Sequence, residues 1–149
     1  MTPQQLRDRT KKFAIEIVRL CRSLPNDWHV HELGKQLVRA GTAVAANYRA
    51  CHRARSDKEF CAKVGVVLEE ADESELWLEL LPEADPSLES VSHRALLREC
   101  GELVAIFSAS HRTAKANLAR KKEAKKKERA ANKRGAPQIT RSPDQPITR

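Results

Sequence analysis

The sequence predicts an all-α fold: an antiparallel, up-down-up-down four-helix bundle followed by a basic, largely disordered C-terminal tail. Three observations predict it. Apolar residues recur at spacings of three, four and seven in four successive stretches, the signature of amphipathic helices. Proline, Asn-Asp and serine-rich breaks separate those stretches. Charge is divided unevenly. Up to Ser110 there are 15 Lys/Arg against 17 Asp/Glu, whereas His111 to Arg149 carry 13 against 3. With 149 residues there is room for one domain, residues 1–118, and an appendage, residues 119–149.

The first helix is set by Thr2, a good N-cap, with Pro3 at the first helical position. Leu6, Phe13, Ile17, Leu20 and Leu24 form its apolar stripe, which Ala14, Val18 and Cys21 widen; Pro25 and Asn26-Asp27 end it. The second helix is expected from about Val30 to His52, with a seam of Leu33, Leu37, Ala40, Val44, Asn47 and Cys51. Small residues crowd it (Gly34, Ala40, Gly41, Ala43, Ala45, Ala46), and each glycine costs about 1 kcal/mol relative to alanine. Close approach of a neighbouring helix is the compensation expected. Asn47 is placed to make a buried interhelical hydrogen bond that fixes register.

Ser56 followed by Glu59 forms a capping box for the third helix, whose seam is Phe60, Val64, Val67, Ala71, Ser74, Leu78 and Leu81, with Pro82 as its stop. Residues Glu83 to Ser87 read as a loop. The fourth helix begins between Ser87 and Ser92, with a seam of Leu96, Cys100, Leu103, Phe107, Ser110 and Ala114. Beyond Leu118 the Ala, Lys, Glu and Arg residues favour helix, but no apolar face is left to pack it down. After Gly135 the proline-rich, polar run is expected to be disordered.

No catalytic signature emerges. The acidic run Glu69, Glu70, Asp72, Glu73, Glu75 and Glu79 lacks the Glu-x-x-His motif of carboxylate-bridged di-metal bundles, and reads instead as salt-bridging or solvated. His29 and His31 have no cysteine partner at zinc spacing, and the five histidines read as surface or helix-start residues. Cys21, Cys51, Cys61 and Cys100 form no C-x-x-C pair and read as small hydrophobes in a reducing, cytoplasmic chain. The polar N-terminus and the lack of a long apolar run exclude a membrane span. No metal or other cofactor is expected.

The cations point to nucleic acid. Arg120, Lys121, Lys122, Lys125, Lys126, Lys127 and Arg129 crowd the appendage, and Arg39, Arg49, Arg53, Arg55 and Lys63 are candidates for a second patch on the body. Such contacts neutralise phosphates by counterion release and are salt-dependent and sequence-tolerant. No aromatic residue interleaves the tail, which disfavours base stacking.

The order of several short segments carries a resemblance. Phe13-Ala14 with Ile17, Leu24-Pro25, Gln36-Leu37-x-Arg39-Ala40, Ala45-Ala46-Asn47, Arg55-Ser56-x-x-Glu59-Phe60 and Glu73 resemble the bacterial four-helix-bundle family encoded in intervening sequences of 23S rRNA genes. That family includes the accessory variability proteins of diversity-generating retroelements. The resemblance implies a ring-shaped homopentamer, association with RNA or DNA, and partnership with a reverse transcriptase, without a catalytic site. Two segments depart from the family pattern. Asn47-Tyr48-Arg49-Ala50-Cys51 stands where Asn-Ile-x-Glu-Gly is usual, and Glu69-Glu70 where Gly-Ser is usual. The leading reading is thus a non-catalytic nucleic-acid-binding or scaffolding bundle. The alternative is a protein-interaction module whose tail serves only solubility.

Overall fold

The computed structural model describes residues 1–135, with side chains through residue 132. The chain falls into two units, Met1–Leu118 and Ala119–Arg149. Its elements are α1 (Pro3–Arg22), α2 (Trp28–Cys51), α3 (Asp57–Ala84), a 3-10 turn (Pro86–Leu88) and α4 (Val91–Gly135).

Three of the four α-helices start at a side-chain cap, whereas Asp27 before α2 makes no cap bond. The Thr2 hydroxyl accepts from the Gln5 amide at 3.2 Å while the Gln5 side chain accepts from the Thr2 amide at 2.7 Å, completing a capping box. The Ser56 hydroxyl accepts from the Glu59 amide at 3.1 Å, but the Glu59 carboxylate reaches one residue further back than a capping box requires, to the Arg55 amide at 2.9 Å. The Ser90 hydroxyl accepts from the His93 amide at 3.0 Å and starts α4.

Ala14, Ala40 and Cys61 apart, the buried positions of the four helices alternate by three and four residues. They are Leu6, Thr10, Phe13, Ile17 and Leu20 in α1; Val30, Gly34, Leu37, Gly41, Val44, Tyr48 and Cys51 in α2; Val64, Val67, Ala71, Ser74, Leu78 and Leu81 in α3; and His93, Leu96, Cys100, Leu103 and Phe107 in α4. A repeat of 3.5 residues is the seam of left-handed bundle packing. Contacts give the neighbour order. Gly41 of α2 abuts Ile17 of α1, Arg39 of α2 pairs with α3, Cys100 of α4 donates to the Ala71 carbonyl of α3 at 3.3 Å, and Arg9 of α1 reaches Glu99 of α4. The close approach expected of the small residues is that between α2 and α1. A Cβ on Gly41 would collide with Ile17, and one on Gly34 would lie 3.2 Å from Leu24.

Four expectations need correction. Asn47 is only half-buried and its side chain makes no hydrogen bond among the described residues; the three-four alternation carries the seam to Tyr48, which packs on Phe107 with ring centroids 5.4 Å apart. In the first turn of α3, Cys61 is buried and Phe60 is 39% exposed, because a 3.6-residue helix drifts off a 3.5-residue seam. Val18 does not widen the core but is 38% exposed. His93 is one of the helix-start histidines, in the first turn of α4, and it is buried there. Pro82 does not stop α3, which runs on to Ala84. Proline removes the amide that would bond the carbonyl four residues back, here that of Leu78. The buried His93 ring fills the gap, its Nε2 lying 2.6 Å from the Leu78 oxygen. A carbonyl only accepts, so Nε2 carries the proton.

Of the segment beyond Leu118, residues 119–135 continue α4, the helical option that their Ala, Lys, Glu and Arg content favours. The disorder expected after Gly135 lies outside the described residues.

Candidate nucleic-acid interface

The body cations named from sequence are not one patch. Arg39 sits on the inward flank of the acidic helix, where its guanidinium pairs with Glu73 and lies 3.9 Å from Glu70. Glu73 also accepts from the Trp77 indole at 3.1 Å. This part of the acidic run is therefore salt-bridged, as like charges at helical spacing require. Arg55 and Lys63 flank one carboxylate, that of Glu59, at 3.5 and 3.7 Å. The Arg55 amide bond and the two cations hold the Glu59 carboxyl below its ordinary value. Arg49 and Arg53 are exposed and have no acidic partner among the described residues.

These two belong to the corner where α2 ends and α3 begins. Arg49, His52, Arg53, Arg55 and Lys58 are all exposed there. His52 stands edge-on to Tyr48, ring centroids 5.0 Å apart, which ties the corner to the aromatic pair in the core. Antiparallel packing sets His111 of α4 beside Gly65 of α3, so Arg112 and Lys115, both exposed, extend the cationic end of the first unit. Sequence reasoning missed these two and Lys58. Their signal was available: they are the polar positions of α3 and α4 nearest the α2–α3 turn. The opposite end, built from Asp27, Glu83, Asp85 and Glu89, is acidic.

The second unit is described by its own helix. Arg120, Lys121, Lys122, Lys125, Lys126, Lys127 and Arg129 are all exposed, as is every residue from Ala119 to Asn132. Seven cations within ten residues, against Glu123 and Glu128, make a dense positive rod with charge all round it. Such a rod matches a phosphate backbone and presents no apolar face to a membrane.

Three thiols, Cys21, Cys51 and Cys100, are held in the protonated form. Burial pushes the Cys21 thiol up to about 11 and raises Cys51. Cys100 is raised further, by burial and by the carboxylates of Glu75, Asp72, Glu99 and Glu79. Among the described residues no three His, Cys, Asp or Glu side chains converge as metal ligands, and no helix is long and apolar enough to cross a membrane.

Fold and surface thus define a class, an antiparallel helical bundle with segregated charge and a cationic helical extension. The model of the 23S rRNA-intervening sequence protein family matches residues 4–109, and the chain belongs to that family. It is also similar to a crystal structure from Bacteroides thetaiotaomicron, a protein of unknown function from the S23 ribosomal protein family. Identity is 28%, the match covers 75% of this chain and 99% of that one, and the TM-score is 0.67. Among curated proteins, none matches the chain.

Proposed function

We propose that this chain is a non-catalytic nucleic-acid-binding scaffold of the cytoplasm that works as a ring-shaped homo-oligomer, a pentamer by family resemblance. It holds RNA or DNA close to a second protein, for which a reverse transcriptase is the candidate that the retroelement resemblance supplies. The observation that carries the reading is the exposed cationic run from Arg120 to Arg129. Arg49 and Arg53 add to it at the α2–α3 corner; Arg39, Arg55 and Lys63, already facing carboxylates, contribute less. Several weak extensions on one particle raise avidity through effective concentration. The family's 23S rRNA-gene context favours RNA among the nucleic acids. The raised thiols Cys21, Cys51 and Cys100 support a role without nucleophilic catalysis.

The test is binding of a short single-stranded RNA by the full chain across a salt series. For five to seven phosphate contacts, log K should fall with log salt at a slope of roughly −3 to −5. Replacing Lys125, Lys126 and Lys127 together by glutamine should flatten the slope by about 2. A wild-type chain that ignores RNA at low salt would sink the reading. The interaction-module alternative draws on Trp28 and Val91, which are 78% and 75% exposed where α2 and α4 begin; exposed aromatics of this kind anchor protein partners. It predicts a partner that is lost with Trp28→Ala and indifferent to the lysine substitutions.

A further inference from the structure

The neighbour order places α1 and α3 diagonally across the bundle, so their outer faces look away from each other. The two helices carry opposite charge. Within Asp57–Ala84 there are nine carboxylates against two lysines; within Pro3–Arg22 there are six cations against two carboxylates. Arg39 neutralises only the inner flank of α3, through Glu70 and Glu73. The outer flank, with Glu69, Asp72, Glu79 and Glu83, is exposed and has no cationic partner among the described residues.

Each outer face also has an apolar centre. Leu76 is 47% exposed in the acidic stripe, and Ile15 is 41% exposed beside Val18 in the basic one. The stripes share a spacing. Lys11, Ile15, Val18 and Arg22 follow one another at steps of four, three and four, and so do Asp72, Leu76, Glu79 and Glu83. Both are therefore about 16 Å long at 1.5 Å per residue. A solvated surface has no need of apolar side chains at the centre of a charged helix face, and a phosphate backbone would find nothing to bind at Ile15 and Val18.

We propose that these faces are two halves of one contact: the acidic α3 face of one copy docks on the basic α1 face of a second copy. The contact is heterologous, since different surfaces meet, and the pair keeps one unused face of each kind. Addition therefore continues until a ring closes. Opposite charge sets the partner, and the Leu76 side chain against Ile15 and Val18 excludes water at the centre. The inference rests on the oligomeric part of the function proposed above, and it names the surfaces that build the oligomer.

The test is the mass of the full chain by light scattering at low salt. One variant carries Asp72→Lys with Glu83→Lys, a second carries Lys11→Glu with Arg22→Glu, and a third carries all four. The wild type should exceed the 16.8 kDa of one chain several-fold. Each double variant should fall toward one chain, and the fourfold variant should recover the wild-type mass, because its reversed charges are again complementary. All four positions are exposed, and circular dichroism confirms the helices of each variant. Should a double variant lose its helices, Leu76→Gln replaces it, with the same fall in mass expected. A monomeric wild type, double variants of unchanged mass, or a fourfold variant that stays dissociated would each overturn the proposal. RNA binding read on the same samples keeps the two ideas apart. A monomer that binds RNA ends this contact and leaves nucleic-acid binding standing; a charge-rescued oligomer that ignores RNA does the reverse.

Discussion

Pro82 and His93 form a testable couple. Pro82 has no amide, so the Leu78 carbonyl, on a residue with no exposure, lacks its helical donor. His93 Nε2, 2.6 Å away, replaces that donor from the neighbouring helix. Replacing His93 by leucine keeps an apolar group of similar bulk but leaves the carbonyl unpaired and buried, at about 1–3 kcal/mol. Part of this is offset, because His93 Nδ1 is itself buried without a partner and disappears with the ring. A net loss of about 1–2 kcal/mol remains, roughly 4–8 °C in Tm for a unit of this size. In a Pro82→Ala background the amide of residue 82 again reaches the Leu78 oxygen, and His93→Leu should then cost less than about 0.5 kcal/mol. The assay is urea unfolding of the four members of this double-mutant cycle, followed by helical circular dichroism. An equal cost of His93→Leu in both backgrounds would refute the claim that the ring stands in for the missing amide.

Two further outcomes follow from the packing and the acidic helix. Gly41→Ala gains about 1 kcal/mol of helix propensity but drives a methyl into Ile17, whose overpacking costs about 1–3 kcal/mol, so it should destabilise or at best break even. Gly65→Ala meets only the half-exposed His111 ring, 3.3 Å from its Nε2, and should be neutral or stabilising; thermal melts of the two variants should differ in sign. Glu75 is raised above its ordinary value of 4.5, first by burial and then by Glu79 and Asp72. A carboxyl raised by folding favours the fold while protonated, and that contribution is lost as pH rises through its folded value. Glu75→Gln should therefore stabilise the protein at pH 7 by less than about 1 kcal/mol, since the group keeps solvent contact. The gain should vanish below about pH 4 in melts taken across that range.

Helix number, order and caps were legible because they are local. Thr2, Ser56 and the serines before α4 act through amides three residues on, and the small residues of α2 announce a close neighbour whatever its identity. The errors arose where two helices had to be placed together. Asn47 and Phe60 came from a three-four count made one helix at a time, through Leu37, Ala40 and Val44 to Asn47 and from Val67 and Val64 back to Phe60. A second alternation, Val30, Gly34, Leu37, Gly41 and Val44, continues to Tyr48 and rejoins the first at Cys51, and the neighbouring helices decide which of the two faces the core. The same count from Leu103 back through Cys100 and Leu96 reaches His93. Its carbonyl partner, however, lies on another helix and leaves no local trace. Pro82 read as a stop because its cost within a helix is normally unrecovered; only the packed structure shows the recovery. For the interface, the cationic run after Leu118 was plain in the sequence. The engagement of Arg39 by Glu73 was not, since 34 residues separate them.

Segregation of charge, rather than its total, governs what the surface can do. Through Leu118 the first unit carries 17 Lys/Arg and 17 Asp/Glu, so it exerts no net pull on a polyanion at long range. At an ionic strength near 0.15 M the screening length is about 8 Å, shorter than either 16 Å stripe, so each face acts on its own. The α3 face repels phosphates and the α2–α3 corner attracts them. If the α3 face is covered by the α1 face of another copy, the strongest repulsive surface of the bundle is withdrawn from solvent. The cations consumed with it are those of α1, while Arg49 and Arg53 stay outside the contact. Assembly would then shift the balance of exposed charge toward the corner and the Arg120–Arg129 run without changing the net charge per chain. Affinity for RNA should consequently rise with assembly by more than avidity alone supplies. Titrating RNA into wild-type and charge-reversed chains at equal chain concentration, with salt matched, measures that excess.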